Sequence, residues 1–202
     1  MIFNLFKSKP NLKELIPEGF VDIHSHILPG IDDGASGINE SKSMLKGMEN
    51  LKFGKIIATP HSYPGLYDNT TESIEKSYHK LISGSESKIE IKYASEYFLT
   101  HKIIEQAESK ELLTIKDNYV LVETGFIFTP LNLEEIIFRI QVNGYIPVIA
   151  HPERYNYLRE NFDLFYKLKK RGCKFQINFL STTGHYGNSI TKFTEKILSK
   201  EL

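Results

Sequence analysis

The chain has 202 residues, of which 41% are hydrophobic and 25% are charged, and its formal net charge is zero. This length suits one domain with a continuous core, and the composition is ordinary for a globular protein. The neutral charge balance excludes a global field that would attract nucleic acid or an anionic membrane, so any anion must be bound by a local site. The only cysteine, Cys173, excludes an internal disulfide framework and predicts a reducing, cytoplasmic location.

The N-terminal residues predict neither a signal peptide nor a membrane span. Their apolar stretch is short, and Lys7 and Lys9 follow it rather than precede it. No later run approaches the length that a membrane-spanning helix needs. We therefore expect a leader over residues 1–19, one domain over residues 20–202, and no integral membrane segment.

Short β-rich segments alternate with helix-like segments along the rest of the chain. The sequence predicts six strands, at residues 20–24, 55–59, 89–93, 119–123, 146–150 and 174–178. A helix is predicted after each strand, at residues 39–51, 71–83, 101–109, 131–143, 162–171 and 190–199. Six strand–helix units predict an α/β fold with a parallel sheet, and both an open doubly wound sheet and a closed barrel fit that count.

Imidazole and carboxylate side chains lie at or just beyond the C-terminal ends of five successive predicted strands. They are His24, His26, His61, Glu96, Glu123 and His151, and the loop after the first strand adds Asp32 and Asp33. In parallel β/α folds this end of the sheet carries the active site. A lone histidine at a strand end is more often a structural hydrogen-bonding group, but packing does not explain the whole series.

These residue types favour a metal site. His24 and His26 alternate along a strand, so they share a face and can bind one ion together. Glu96 and Glu123 follow apolar runs that predict burial, and a buried carboxylate needs a partner such as a cation. Nitrogen and oxygen donors without thiolate favour Mn, Fe or Zn. The donors exceed what one ion needs, so we expect two or three clustered divalent ions and a metal-bound water as nucleophile.

Two further residues bear on the chemistry. Arg154 follows His151 by three positions, and we interpret it as a bidentate clamp for phosphate oxygens, with an ordinary surface ion pair as the alternative. A cysteine-dependent tyrosine phosphatase needs an arginine six positions after its cysteine, whereas Phe179 stands there after Cys173. Cys173 is therefore predicted to be a small buried hydrophobe. His185 is predicted to lie in a loop rather than to bind metal.

The motifs resemble those of bacterial tyrosine phosphatases of the PHP (polymerase and histidinol phosphatase) class, which are associated with capsule and exopolysaccharide production. The resemblance runs from about residue 20 to the end of the chain. It rests on DIHSHILPGIDDG at 22–34, TPHS at 59–62, SEYFL at 95–99, VET at 122–124, AHPERY at 150–155 and NFLSTTGHYG at 178–187.

The resemblance implies a distorted seven-stranded β/α barrel with three metal ions, usually Mn²⁺. It implies a role for Arg154 in phosphate binding, and as metal ligands it implies His24, His26, Asp33, His61, Glu96, Glu123 and His151. The implied substrate is a phosphotyrosine protein, such as the tyrosine-rich tail of a bacterial tyrosine kinase that controls polysaccharide export.

One feature departs from the family pattern. Relatives carry a late Asp-x-His motif after a seventh strand, and none follows His151 here. We therefore expect that the chain lacks its C-terminal strand, either by truncation, which we favour, or by natural loss. Two alternatives stay open: a PHP phosphatase for a small ester such as histidinol phosphate, and a catalytically impaired metal-binding module that docks a kinase tail.

Overall fold

The computed structural model describes residues 12–200 as a mixed α/β structure. Every pairing between its named strands is parallel, which confirms the predicted fold class at that level. The described chain forms two compact units. The first unit comprises residues 12–60 and 72–93, and the second unit comprises residues 61–71 and 94–200.

The first unit is built on a three-stranded sheet of order β1-β2-β4. Its elements are α1 (Leu12–Leu15), β1 (Phe20–Ser25), α2 (Ile38–Asn50), β2 (Phe53–Ala58), α3 (Thr71–Gly84) and β4 (Glu90–Tyr93). The central strand β2 ends in the buried run Ile56, Ile57 and Ala58, as expected for a strand covered on both faces. Ile74 and Leu81 of α3 are buried and lie seven residues apart, so one helical face packs inward.

The second unit is built on a five-stranded sheet of order β3-β5-β6-β7-β8. Its strands are β3 (His61–Ser62), β5 (Glu96–Phe98), β6 (Tyr119–Glu123), β7 (Ile146–Ala150) and β8 (Lys174–Gln176). Its helices are α4 (His101–Glu108), α5 (Leu133–Val142), α6 (Asn156–Glu160), α7 (Phe162–Lys170) and α8 (Asn188–Ser199), with 3₁₀ helices at Pro152–Arg154 and Phe179–Thr182. The apolar interiors of β6 and β7 are buried, which places the core of this unit around its sheet.

The strand count differs from the prediction in two places. All six predicted strands occur, β6 and β7 with the predicted bounds, but β3 and β5 are additional. These two strands span two and three residues, too few for an alternating pattern to be visible in a sequence. The last strand, β8, ends two residues earlier than predicted. The Asn178 N–H donates to the carboxylate of Glu153 and not to a neighbouring strand.

The predicted leader falls partly outside the described residues. Residues 1–11 are not described, whereas Leu12–Leu15 form α1, Ile16 is buried, and the Gly19 N–H donates to the Lys52 carbonyl at 2.9 Å. Within residues 12–200, none of the helices combines the length and the apolar character needed to cross a membrane.

Candidate functional site

The end of β1 presents a pair of imidazoles in the first unit. The Nε2 atoms of His24 and His26 lie 3.2 Å apart, and both rings are half-buried. Two imidazoles that face each other through the same ring nitrogen can share a proton or a cation. The alternation along the strand predicted this shared face.

A carboxylate in the following loop fixes the His26 ring. His26 Nδ1 lies 2.7 Å from Asp32 Oδ2, while Asp32 Oδ1 accepts the Gly34 N–H at 3.0 Å. Asp33, which the resemblance implied as a ligand, has its nearest carboxylate oxygen 3.9 Å from the same nitrogen, and its side chain is 62% exposed. A carboxylate on Nδ1 orients the ring so that Nε2 faces outward to an ion. In this structure the orienting residue is therefore Asp32.

Gly34 is required by the close packing of this loop. A Cβ atom at this position would lie 2.0 Å from the carbonyl oxygen of His26.

Asp22 supports the same strand end, because its carboxylate accepts the His24 N–H at 3.1 Å. Burial raises the pKa of Asp22 above its usual value, and the hydrogen bond from His24 opposes that shift.

The second unit brings together two imidazoles and two carboxylates. His61 Nδ1 lies 2.8 Å from Glu123 Oε1 and 3.2 Å from Glu96 Oε2. The other oxygen of Glu96 lies 3.0 Å from His151 Nε2. One carboxylate thus bridges two imidazoles. Glu96, Glu123 and His151 are buried, and one donor atom each from His61, Glu96 and Glu123 lies within 4.8 Å of the others.

The sheet explains this convergence. His61 pairs with Glu96 between β3 and β5, and Phe98 pairs with Glu123 between β5 and β6. His151 follows β7 with φ of 34°, in the left-handed region that residues other than glycine rarely adopt. Such backbone strain is concentrated at functional sites. It turns the chain directly into the 3₁₀ helix Pro152–Arg154.

This donor set fits a divalent cation. Two carboxylates buried side by side are costly unless positive charge compensates them. Their oxygens, combined with imidazole nitrogens and no thiolate, match the preferences of Mn²⁺, Fe²⁺ and Zn²⁺. The second unit therefore contains a candidate metal centre made of His61, Glu96, Glu123 and His151, all four of which the sequence predicted.

The guanidinium of Arg154 lies beside two aromatic rings. Its Cζ atom is 4.7 Å from the ring centroid of Phe126 and 4.9 Å from that of Tyr186. Within residues 12–200 it forms no ion pair with a carboxylate, so the alternative of an ordinary surface salt bridge is absent from this part of the chain. The Arg154 backbone N–H donates to the His151 carbonyl at 2.9 Å, so the arginine lies one turn beyond a residue of the candidate metal centre.

Cys173 is buried, as predicted, and burial raises the pKa of its thiol to about 11. The thiol is therefore protonated at neutral pH and is a poor nucleophile. His185 is exposed in the loop before α8, and its ring contacts that of Tyr186 edge-on.

Sequence reasoning missed Glu153, Phe126 and Tyr186. Glu153 is fully buried, and its Oε1 accepts the Ser181 hydroxyl at 2.6 Å. The available signal was its place inside the HPER motif, between Pro152 and Arg154. Phe126 and Tyr186 lie in loops, where an aromatic residue carries no periodic signal.

Comparisons with known proteins agree with the motifs. Residues 20–202 match the family model described as capsular polysaccharide synthesis, CpsB/CapC. CapC of Staphylococcus aureus is 35% identical over 186 residues, which cover 90% of this chain and 73% of that protein. The tyrosine-protein phosphatase YwqE of Bacillus subtilis is 32% identical over the same shares.

A solved structure is also similar. It comes from crystal structures of YwqE from Bacillus subtilis and CpsB from Streptococcus pneumoniae, described as unique metal-dependent tyrosine phosphatases. The TM-score is 0.80 at 31% identity, over 89% of this chain and 74% of that one. The resemblance to bacterial tyrosine phosphatases is thereby confirmed, and the chain belongs to the CpsB/CapC family.

Proposed function

We propose that this chain is a metal-dependent phosphatase that hydrolyses phosphotyrosine in proteins. The observation that carries the proposal is the set of His61, Glu96, Glu123 and His151, whose last member lies one turn before Arg154. It combines donors for a divalent cation with a guanidinium suited to phosphate. Similar proteins of the same family are named as tyrosine phosphatases, and the similar structures are described as metal-dependent.

The proposed metal ligands are those named from the sequence. They are His24, His26 and Asp33 in the first unit, and His61, Glu96, Glu123 and His151 in the second. Two or three divalent ions, with Mn²⁺ expected and Fe or Zn as alternatives, suit these nitrogen and oxygen donors. When bound, such ions lower the pKa of water and offset negative charge on a phosphoryl group.

The protein side chains have separate tasks in this proposal. Arg154 presents planar N–H donors that can bind two phosphate oxygens at once. Glu96 fixes the rings of His61 and His151 relative to each other, because one carboxylate oxygen lies against each ring. Asp32 holds His26 in the orientation that exposes Nε2.

The proposal also includes a PHP-type β/α barrel and a cytoplasmic location. The proposed substrate is the phosphorylated tail of a tyrosine kinase linked to capsule or exopolysaccharide synthesis. Support for the capsule link comes from the family description, capsular polysaccharide synthesis.

The decisive experiment compares substrates on metal-loaded and demetallated protein. We expect hydrolysis of a phosphotyrosine peptide, its loss on chelation, and its recovery with Mn²⁺. Full activity after exhaustive demetallation would disprove the metal mechanism. Preference for histidinol phosphate would favour a phosphatase for small esters, and peptide binding without turnover would favour a docking module.

A further inference from the structure

The loop of residues 178–187, which precedes α8, carries Tyr186. It is anchored to the same 3₁₀ helix that carries Arg154. Glu153 is fully buried and directs its carboxylate towards the start of this loop. Its Oε1 accepts the Asn178 N–H at 3.0 Å and the hydroxyl of buried Ser181 at 2.6 Å. Adjacent residues of one 3₁₀ helix therefore contact both ends of the loop, Glu153 at its start and Arg154 at Tyr186.

A second set of bonds connects the loop to the metal centre. Gln176, the last residue of β8, accepts the His151 N–H at 3.3 Å through its side-chain oxygen. Its side-chain amide donates to Asn178 Oδ1 at 3.0 Å. The backbone of a proposed metal ligand and the first residue of the loop thus share one hydrogen-bonded network, which fixes where the loop begins.

We propose that Tyr186 is a positioning residue for phosphate binding: its ring holds the Arg154 guanidinium in place, and Glu153 holds the loop that carries Tyr186. The proposal rests on the phosphate-binding role proposed for Arg154. A free arginine side chain has many rotamers, so a protein that binds phosphate bidentately gains from restricting them beforehand.

An aromatic ring is suited to this task. It attracts the guanidinium through its π face but does not compete for the N–H donors, which stay available for an anion. A carboxylate in the same place would occupy those donors and offset the positive charge. The Tyr186 hydroxyl has no part in this contact, so the aromatic ring alone should be sufficient.

The test uses metal-loaded protein and inorganic phosphate as the probe, with binding measured by calorimetry. Tyr186→Leu should weaken phosphate binding by about tenfold, the size of one cation–π contact, whereas Tyr186→Phe should bind as wild type does. In an Arg154→Ala background, Tyr186→Leu should have no further effect, because its action passes through the arginine. Tyr166→Leu, at a half-buried tyrosine on α7 that contacts Phe162, is the matched control.

Glu153 is tested in the same way. Glu153→Gln keeps an acceptor for Asn178 and Ser181 and should leave phosphate binding near the wild-type value. Glu153→Ala removes that acceptor and should reproduce the loss seen for Tyr186→Leu. If Glu153→Ala does not fold, Glu153→Gln and the Tyr186 variants test the positioning role instead.

The outcomes separate this proposal from the proposed function. Phosphate binding that depends on Tyr186 in a protein without phosphotyrosine turnover would support the positioning role and contradict the enzyme activity. An unchanged phosphate affinity in Tyr186→Leu would overturn the positioning role. So would an equal tenfold loss in the Arg154→Ala background, or wild-type protein that binds no phosphate.

Discussion

The two units hold their candidate ligands in different ways. In the first unit the imidazoles of His24 and His26 are half-buried, and one loop carboxylate orients one ring. In the second unit the carboxylates of Glu96 and Glu123 are buried against His61 and His151. A half-buried imidazole is tolerable without a cation, but two adjacent buried carboxylates are not. We therefore expect the second unit to bind metal more tightly than the first and to lose more folding stability when the metal is removed.

Glu96→Gln should cause the largest loss of metal binding and turnover, because this carboxylate contacts both imidazoles of the candidate metal centre. The change keeps the shape but removes the charge and one acceptor oxygen. We expect loss of bound metal and at least a 100-fold fall in kcat, beyond the roughly 10–100-fold typical of residues behind a metal ligand. Metal analysis and kinetics on the purified variant provide the measurement.

Glu105→Gln, on an exposed face of α4, is the control for Glu96→Gln and should keep wild-type metal content. If Glu96→Gln retained full metal occupancy and turnover, Glu96 would be structural, and the contrast between the units would lose its basis.

Chelation should destabilise the second unit more than the first. A ligand present at 100 times its dissociation constant stabilises the folded state by about 2.7 kcal/mol, and that contribution disappears when it is removed. Hydrogen exchange should therefore accelerate in β5 and β6 after demetallation and change less in β1 and β2. Equal acceleration in both units, or none in either, would contradict the comparison.

Gly34→Ala should damage the first unit by a steric route. Its Cβ would meet the His26 carbonyl oxygen at 2.0 Å, so the loop must move. We expect a loss of about 1–3 kcal/mol in the free energy of unfolding and lower metal affinity. Gly37→Ala is a matched control in the same loop, because nothing lies within 4 Å of the added methyl group. Similar melting temperatures for the two variants would contradict the packing argument.

The sequence predicted the fold class and the candidate ligands because both leave local signals. Buried parallel strands appear as apolar runs, and β6 and β7 were placed with their observed bounds. The candidate ligands His24, Glu123 and His151 lie at or just after the ends of predicted strands, whereas His61 and Glu96 begin β3 and β5, which were not predicted. His151 was found in this way, although its left-handed backbone was not.

What the sequence could not supply is contact between residues distant in the chain. The bond between Glu153 and Ser181 joins positions 28 residues apart, and the contact of Tyr186 with Arg154 likewise depends on how the loop folds back. Which of Asp32 and Asp33 lies against the His26 ring depends on side-chain direction in a turn. Adjacent identical residues in a loop carry no periodicity from which that direction follows.

Asp32→Asn and Asp33→Asn separate the orienting residue from the implied ligand. Asp32 lies 2.7 Å from His26 Nδ1. Asp32→Asn should therefore weaken metal binding by about tenfold, as expected when the carboxylate that orients a ligating histidine is removed. Each variant is the control for the other, because both remove one charge from the same loop. A tenfold or greater loss in Asp33→Asn would support direct ligation by Asp33, and no loss in Asp32→Asn would contradict its orienting role.

Cys173→Ala should have the smallest effect, because this residue lies in the core of the second unit and outside its donor set. Burial raises the pKa of the thiol to about 11, so less than about 1% is thiolate at pH 8. Turnover should stay within about twofold of wild type, and thiol reagents should react slowly until the protein unfolds. A small loss of stability is expected from the lost sulfur contacts, about 1 kcal/mol. Loss of turnover in a variant that still melts cooperatively and retains its metal would show that the thiol takes part in the chemistry. The second unit would then contain a nucleophile that its donor set does not account for.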